Sequence, residues 1–370
     1  MASDSNFSSV PILDYPLIRH GRKAEFVELL RHALVNVGFL YLLNSPVEET
    51  LVNRVKAHVS KFFDLPIERK ERLAMRKSPH FLGLDREQFD FAAEHTNRWT
   101  EGQPDWLRLW GPPQWPDDDE LPRLKQDLEA YLEELKHLSF EFTNLVEEAL
   151  ELRPGALDAF FDSPKESMSH RGKLIKYPSV SEISGGAQGV GPHYDAGFLT
   201  LLLQLSDLPG LQVQNVSGQW IDVILRPNTL VVNIGKALEH VTQNVAIATS
   251  HPVVSPPVGS PPRYSVPFFQ SISESVRISE IKLDIPPHIL SLRDARRPSA
   301  DRSQGAQALA SDHSHTSSNV IAVNHGEYLR DISGLVYLTG RIKSHPDVAE
   351  AHYPHLYRKI FPNGAPEFGS

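Results

Sequence analysis

Seven short strand-like segments follow one another between residues 173 and 270, with turn signals such as DLPG, SGQ and RPN among them. In chain order they are KLIKYP, GFLTLLLQL, LQVQNV, QWIDVI, TLVVNI, ATSHPVV and RYSVPFFQ. Short strands at such close spacing are typical of an antiparallel sandwich or barrel. We therefore predict that the second half of the chain is mainly β.

The first 155 residues show helical periodicity instead. VPILDYP reads as a short strand, a helix begins near residue 22, a strand covers 38–43, and a second helix covers 47–64. From Leu121 to Leu150 apolar residues recur at steps of three and four, which indicates a long helix with one buried stripe. The stretch 77–119, rich in Pro, Trp, Asp and Gly, predicts a long structured loop.

The chain contains no cysteine, which excludes thiol catalysis, disulfides, iron–sulfur clusters and cysteine-ligated zinc. A formal net charge of -9 without a basic run argues against binding to nucleic acid. No apolar stretch is long enough to span a membrane, and the N-terminus MASDSNFSSVPILDYP lacks the pattern of a secretory signal. We therefore expect a cytoplasmic protein, a monomer or a weak dimer, that acts on a small molecule.

The segment 296–319 is rich in Ser and Ala and poor in large apolar residues, so we expect a mobile loop there. It contains His313 and His315, which are spaced like a metal pair, but a solvated loop explains them better than a ligand role. The last residues, GAPEFGS, are expected to be unstructured.

The strongest local signal for chemistry is a histidine and an aspartate two residues apart in GPHYDAGFLTLLLQ. Residues two apart in a strand project to the same face, so His193 and Asp195 can reach one ion together. The alternative is a surface histidine beside a turn aspartate, since chance pairs are expected among 17 histidines. The preceding Gly-Pro and the following apolar strand favour a metal pair at the mouth of a barrel.

A metal site here needs a third ligand. His251, at the end of the strand-like run NVAIATSHPVV, is the preferred candidate, and His240, in a turn-like stretch after Gly235, competes with it. Two histidines and one carboxylate occupy one face of an octahedral iron(II) and leave the other positions open. Zinc is the alternative metal, because a set without thiolates suits either ion.

RYSVPFFQ places an arginine and a serine two residues apart. A buried arginine needs an anionic partner, and its planar fork suits a carboxylate. Arg263 and Ser265 on one strand face therefore predict an organic acid as cosubstrate beside the metal. Pairing of the arginine with an acidic residue of the protein is the alternative.

Taken together, these motifs resemble the isopenicillin-N-synthase-like branch of the 2-oxoglutarate and iron(II)-dependent dioxygenases, and SVPFFQ and GPPQWP look most like fungal members. Along nearly the whole chain the matching segments are VPILDYP, VGFLYLLNSPV, FFDLPIERKERL, KYPSV, HYDAGFLTLLLQ, GLQVQ, GQWIDV, NTLVVNIGKALEHVTQN, SHPVV and RYSVPFF. The resemblance implies a distorted double-stranded β-helix (a cupin-like jelly roll) over residues 156–370, including C-terminal helices. It also implies a helical N-terminal region over 1–155, the two forming one catalytic unit.

The resemblance further implies an enzyme of secondary metabolism that uses Fe(II), 2-oxoglutarate and O2, with ascorbate as a candidate reductant. Its implied residues are three iron ligands and three contacts of the distal 2-oxoglutarate carboxylate: His193, Asp195, His251, Arg263, Ser265 and Tyr177. The chain departs from the family pattern at Lys236, where an acid is usual, at Pro252, where arginine is usual, and at Ile175, where asparagine is frequent. None of these departures removes a ligand.

We expect the substrate to contact the loop around residues 91–99 and the barrel mouth. The candidate contacts are four aromatic residues and one arginine: Phe91, Arg98, Trp99, Phe198 and Phe269. Each aromatic side chain could instead belong to the core. Hydroxylation, desaturation, ring closure and rearrangement all stay open as outcomes, as do an iron oxidase of the same fold that needs no 2-oxoglutarate and a metal-free binding protein.

Overall fold

The computed structural model describes residues 6–180, 188–296 and 325–365. Within these ranges the strands are Ile12–Asp14 (β1), Phe39–Leu43 (β2), Gly83–Asp85 (β3), Gln88–Ala92 (β4), Arg171–Tyr177 (β5), Gln188–His193 (β6), Leu199–Gln204 (β7), Gln212–Gln214 (β8), Trp220–Asp222 (β9), Thr229–Ile234 (β10), His251–Val254 (β11) and Arg263–Gln270 (β12). The α-helices are Lys23–Asn36 (α1), Glu49–Phe63 (α2), Ile67–Arg72 (α3), Leu124–Ala149 (α4), Lys236–Val241 (α5), Pro287–Arg296 (α6), Ser333–Ser344 (α7), Pro346–His352 (α8) and Pro354–Ile360 (α9).

The strands form one large sheet and a smaller layer. The large sheet has eight strands in the order β1-β2-β10-β7-β12-β5-β4-β3, and only the β1–β2 pairing in it is parallel. The smaller layer consists of the pairs β6–β11 and β8–β9, which an isolated bridge between Leu211 and Val253 connects. This arrangement confirms the predicted mainly β fold, a double-stranded β-helix with helices.

Side chains alternate along the strands of the large sheet, and the alternation separates two apolar cores. On β10, Leu230 and Val232 belong to the main core, which also contains the buried faces of α1, α2 and α4. Val231, between them, belongs to a second core with residues of β8 and β11, inside the barrel. The strand pattern of the sequence therefore decides which side chains can face a site within the barrel.

The predicted long helix and the predicted strands of the second half are confirmed, but the prediction of a loop over 77–119 was wrong in part. That stretch contains β3 and β4, which extend the large sheet beyond β5. Phe89 and Phe91 alternate there with Gln88 and Asp90, which is a strand pattern. The strand has only five residues, and its Pro- and Gly-rich flanks concealed it.

The two predicted parts of the chain, residues 1–155 and 156–370, contribute strands to the same sheet and side chains to a common apolar cluster. β1 to β4 come from residues before 155, and they lie in the same sheet as β5, β7, β10 and β12. A third apolar cluster joins residues of α7 and α8, such as Leu338 and Val348, to Met75, Phe81 and Leu109. Among the described residues, no helix is long and apolar enough to cross a membrane. The predicted mobile segment lies outside the described residues from 297 onward, as do His313 and His315.

Candidate metal centre

Three side chains converge at the end of β6, in the smaller layer. His193, the last residue of β6, pairs in register with His251, the first residue of β11, and their rings lie 4.3 Å apart between centroids. Oδ1 of Asp195 is 3.8 Å from Nε2 of His193 and 3.9 Å from Nε2 of His251. Strand pairing thus brings the third histidine, distant in sequence, to the predicted His-Asp pair.

Backbone carbonyls fix the orientation of both imidazoles. Nδ1 of His193 is 2.9 Å from the carbonyl oxygen of Gly191, and Nδ1 of His251 is 3.0 Å from that of Thr249. A carbonyl can only accept a hydrogen bond, so each Nδ1 carries the proton and each Nε2 presents a lone pair. Partners of this kind are the ones that orient metal-binding histidines in proteins.

The side chains of the described residues hold Asp195 through one oxygen. Its Oδ2 accepts hydrogen bonds from Thr200 Oγ1 at 2.5 Å and from Asn233 Nδ2 at 2.8 Å. Thr200 on β7 and Asn233 on β10 are register partners in the large sheet. Two adjacent strands therefore fix the carboxylate and leave Oδ1 directed at the two imidazoles.

The electrostatics keep the set in its metal-binding form. Burial, together with the neighbouring His251, lowers the pKa of His193 to about 4. Burial acts to raise the pKa of Asp195, but the two imidazoles and the hydrogen bonds from Asn233 and Thr200 outweigh it, so this pKa lies below its ordinary value. At neutral pH the site then offers a neutral His193 and an ionised Asp195, and metal binding needs both forms.

The donor set fits a metal ion. One ligand atom from each of His193, Asp195 and His251 lies within 4.8 Å of the others. Metal–ligand bonds of roughly 2.0–2.2 Å allow one ion to reach donors at such separations. Two imidazoles and one carboxylate on one face are the set that non-haem iron(II) uses. Among the described residues no other group of three suits a metal, and the competing candidate His240 lies in α5 instead of a turn.

Deeper in the barrel, Arg263 on β12 is only 1% exposed. Its Nη2 donates to Gln204 Oε1 at 2.8 Å, whereas Nε and Nη1 have no hydrogen-bond partner within the described part of the chain. No carboxylate of the described residues pairs with it, which argues against the alternative of an acidic protein partner. An unpaired buried guanidinium is costly, so this pocket suits the carboxylate of a small molecule.

Tyr177 and Ser265 complete the carboxylate pocket. Tyr177 is the register partner of Arg263 across β5 and β12, and its ring lies 5.1 Å from the guanidinium carbon. Burial raises the pKa of Tyr177, and Arg263 and Ser265 offset part of this rise. Ser265 is also 1% exposed. The structure thus brings together all three residues that the resemblance implied for this role.

Two of the five predicted substrate contacts lie in the main core. Phe91 is fully buried and stacks on Phe89, with ring centroids 6.1 Å apart. Phe198 is fully buried against Phe161 at 5.2 Å. Both side chains belong to the main apolar core, together with residues of the helices, which is the placement that the core interpretation predicts.

The other three predicted contacts lie nearer to open space. Arg98 lies over the ring of Trp110, with its guanidinium carbon 3.3 Å from the ring centroid. The indole of Trp99 donates to the Gln103 carbonyl and lies under Arg108. Phe269 is partly buried and pairs in register with Thr200, the residue that holds Asp195. Of the five, Phe269 therefore lies next to the metal centre.

The sequence analysis missed a cavity beside Gly197, two residues after Asp195. Its lining includes Trp110, Arg171 and Glu274, as well as residues of the C-terminal part such as Tyr337. These residues come from separate segments that carry no recognisable motif. The available signals were weak ones: a tryptophan in LRLWGPP and an acid in SISESV just after β12.

Comparisons with known proteins agree with this geometry. A model described as the N-terminal region of a non-haem dioxygenase in morphine synthesis matches residues 10–118, and one of the 2OG-Fe(II) oxygenase superfamily matches residues 168–272. A 2-oxoglutarate-dependent dioxygenase, frbJ, of a Dothideomycetidae species is 38% identical over 96% of this chain and 95% of its own length. A 2-oxoglutarate-dependent dioxygenase of Gibberella zeae is 36% identical over 78% of this chain and 81% of its own length.

Solved structures give the same result. The crystal structure of a full-length Neurospora crassa protein in complex with alpha-KG and 5-formyluracil has a TM-score of 0.63 and is 26% identical; the match covers 80% of this chain and 94% of that one. The family model that matches the catalytic core contains the strands carrying the His-Asp-His cluster and the buried arginine. The chain therefore belongs to the 2OG-Fe(II) oxygenase superfamily, and it is a 2-oxoglutarate-dependent dioxygenase with a non-haem iron centre.

Proposed function

We propose that His193, Asp195 and His251 bind Fe(II), and that Arg263 and Ser265 bind the distal carboxylate of 2-oxoglutarate. The observation that carries the assignment is that two guanidinium nitrogens, Nε and Nη1, have no hydrogen-bond partner among the described residues, on an arginine that is 1% exposed. A carboxylate is the ligand that satisfies both nitrogens and the charge at once.

Each residue has a task that its contacts explain. Gln204 holds one side of the Arg263 guanidinium, so the other side is ready for the cosubstrate without reorganisation. Tyr177 and Ser265 supply hydroxyl groups beside it, and their burial excludes water from the bound carboxylate. Bound iron with 2-oxoglutarate supplies the oxygen activation at this centre.

The substrate is a small molecule, and we place its reacting carbon beside Phe269. This residue stands on the inner face of β12, between Arg263 deep in the barrel and the cavity at the mouth. Trp99 and Arg98 would act indirectly, since they contact Arg108 and Trp110. Phe91 and Phe198 would support the fold of the site from the main core.

The proposal also covers the organisation, oligomeric state and location of the protein. Residues 1–155 and 156–370 work as one catalytic unit, a monomer or weak dimer of the cytoplasm that does not bind nucleic acid. The shared large sheet supports the first point, and a net charge of -9 without a basic run supports the last. Sedimentation velocity at several protein concentrations would test the oligomeric state.

The central experiment measures succinate. The purified protein with Fe(II) and air should convert 2-oxoglutarate to succinate, slowly even without substrate, and should not do so when iron is removed with a chelator. An iron oxidase of the same fold would consume oxygen without forming succinate. If the protein bound neither iron nor 2-oxoglutarate, the proposed residue roles would be wrong.

A further inference from the structure

The cavity at the barrel mouth, called here the outer cavity, is lined by two carboxyl groups. Oε2 of Glu274 accepts a hydrogen bond from Trp110 Nε1 at 2.5 Å, and Oδ1 of Asp162 accepts one from Ser273 Oγ. Neither carboxyl forms an ion pair with a lysine, arginine or histidine in the described ranges of the chain. Two acids close enough to influence each other thus line the cavity, and neither belongs to an ion pair of the described residues.

Among the described residues that line the cavity, Arg171 is the one cation, and backbone carbonyls hold its guanidinium. Its Nη1 donates to the Phe81 carbonyl at 2.9 Å, and its Nη2 donates to the carbonyls of His80 at 2.8 Å and Leu109 at 3.0 Å. These carbonyl groups accept from the two terminal nitrogens and fix the guanidinium in place, although its charge remains. The outer cavity therefore presents two carboxyl groups and one fixed guanidinium to any molecule that enters it, so acids outnumber bases in the part of its lining that the structure describes.

Aromatic side chains form much of the remaining wall. The rings of Trp110, Tyr328 and Tyr337 line the cavity along with Leu109 and Ile272. Arg98 already lies over the ring of Trp110 and Arg171 over that of Tyr337, so these rings contribute apolar edges and walls that suit a hydrocarbon stem. Two carboxyl groups in such a wall suit a nitrogen cation better than an acidic group.

Strand pairing connects the outer cavity to the metal centre. Arg171 on β5 pairs with Phe269 on β12, and Phe269 pairs with Thr200 on β7, whose hydroxyl holds Asp195. Neighbouring strands lie about 4.8 Å apart, so the backbones of Arg171 and Thr200 are roughly 10 Å apart. One small molecule can therefore extend from the metal centre into the outer cavity.

We propose that the outer cavity binds an amine or guanidine group of the substrate between the carboxyl groups of Glu274 and Asp162. This inference rests on the proposed function, since it concerns the remote end of a molecule oxidised beside Phe269. Burial raises the pKa of Glu274 to about 7, against the smaller effects of Trp110 and Arg171. A cation beside it would restore the ionised carboxylate, as opposite charges do.

Anaerobic calorimetry on the holoenzyme with Fe(II) and 2-oxoglutarate tests the proposal with two matched pairs of probes. Arginine is compared with citrulline, in which a neutral urea replaces the guanidinium, and hexane-1,6-diamine is compared with hexane-1,6-diol. The cation should bind at least about tenfold more tightly than its neutral partner in at least one pair, as expected for a charge-assisted hydrogen bond.

Variants assign the preference to the outer cavity. Glu274→Gln should remove most of the preference for the cation, Glu274→Asp should keep part of it, and the exposed control Glu280→Gln should keep all of it. If neither cation binds more tightly than its neutral partner, or if the preference survives Glu274→Gln, the inference is wrong. Failure of the proposed function would be distinct, because the wild-type protein would then bind no Fe(II) or 2-oxoglutarate before any probe is added.

Discussion

Arg263 and Glu274 mark the two ends of the site, and the two ends differ in charge and in construction. Arg263 stands on a regular strand with Tyr177 as its register partner, and it is a cation without an anion among the described residues. Glu274 lies four residues beyond the end of the same strand β12, in a cavity built from separate loops and helices, and it is an acid that forms no ion pair with the described residues. The inner end suits a fixed cosubstrate, while the outer end suits the variable part of a substrate.

The difference in construction shows where such an enzyme can change. The backbone of a central strand is hydrogen-bonded on both sides and its side chains pack against those of the neighbouring strands, so a replacement there disturbs its neighbours. The outer cavity takes Trp110, Asp162, Glu274 and Tyr337 from four segments of the chain, and each can vary with little effect on the others. Sites built on loops over a rigid scaffold usually carry specificity for this reason.

The largest expected effect comes from removing a metal ligand, a change that leaves Arg263 and Glu274 in place. Asp195→Ala removes the carboxylate between His193 and His251, so iron binding and succinate formation should fall below detection. His240→Ala is the control, because His240 lies in α5 and does not belong to the cluster. Iron content by mass spectrometry and succinate by chromatography measure both. Full iron content in Asp195→Ala, or its loss in His240→Ala, would change the ligand set.

The second-largest effect is expected from the loss of the positive charge of Arg263. Arg263→Gln keeps a similar length but removes the charge, and losing one partner of a buried charge pair costs about 2–5 kcal/mol. The dissociation constant of 2-oxoglutarate should therefore rise by roughly 30-fold or more, while iron affinity stays the same. Anaerobic titration of the iron-loaded protein measures it.

Arg22→Gln provides the matched control for this experiment, since Arg22 is exposed and pairs with Glu25 at the surface. It should leave 2-oxoglutarate affinity unchanged. An Arg263→Gln protein with the wild-type affinity would mean that the cosubstrate carboxylate binds elsewhere, and the inner end would lose its distinction from the outer one.

The residues of the metal centre and of the inner end could be predicted from the sequence because they occur in pairs with a two-residue spacing. Arg263 and Ser265 are two residues apart on β12, and a two-residue spacing along a strand places side chains on one face. His193 and Asp195 have the same spacing, although β6 ends at His193 and Asp195 lies just beyond it. The long helix α4 was equally visible, since its apolar stripe repeats over many turns. Only the pairing of His251 with His193 required the fold, because register between distant strands is not readable from either strand alone.

The outer end could not be predicted, for a physical reason. Phe91 and Phe198 were candidate substrate contacts, yet both belong to the main core. Phe91 lies on β4 and Phe198 just before β7, and packing alone decides which side of the sheet such a ring occupies. Trp110 and Glu274 lie outside regular strands, where no period relates one residue to the next. Tertiary contacts alone bring them together.

The third prediction concerns the stability cost of the outer carboxyl. The pKa of Glu274 rises from 4.5 to about 7 on folding, so the ionised group destabilises the native state. This cost is absent below pH 4.5, grows as the pH rises, and is complete above pH 7. Glu274→Gln should therefore increase the unfolding free energy on the order of 1–3 kcal/mol at pH 8 and much less at pH 5. Urea denaturation of the metal-free protein at both pH values measures the difference.

Charged neighbours define the control for this experiment. Arg171, Asp162 and Arg98 face Glu274 and act on its pKa, but they stay in place in the variant. Glu280→Gln removes an exposed carboxylate that pairs with Arg277 at the surface, and it should change stability by less than about 0.5 kcal/mol at either pH. A Glu274→Gln protein less stable than the wild type at pH 8 would mean that Glu274 forms a structural ion pair and is not available to a ligand.

The smallest expected effect comes from a hydrogen bond to Asp195. It tests whether the metal centre can change while both ends of the site stay the same. Thr200→Val retains the shape of a side chain that is 4% exposed but removes the hydroxyl that donates to Asp195 Oδ2. Asn233 still holds that oxygen, so the carboxylate loses one of two supports, and Fe(II) affinity should fall about tenfold. Competition with a chelator measures it, with Thr229→Val as control, because the Thr229 hydroxyl bonds to the Arg226 carbonyl instead. At saturating iron the affinity for 2-oxoglutarate should match the wild type, since Arg263 is untouched. Equal iron affinity in the two valine variants would show that the strand partners of Asp195 do not tune the metal.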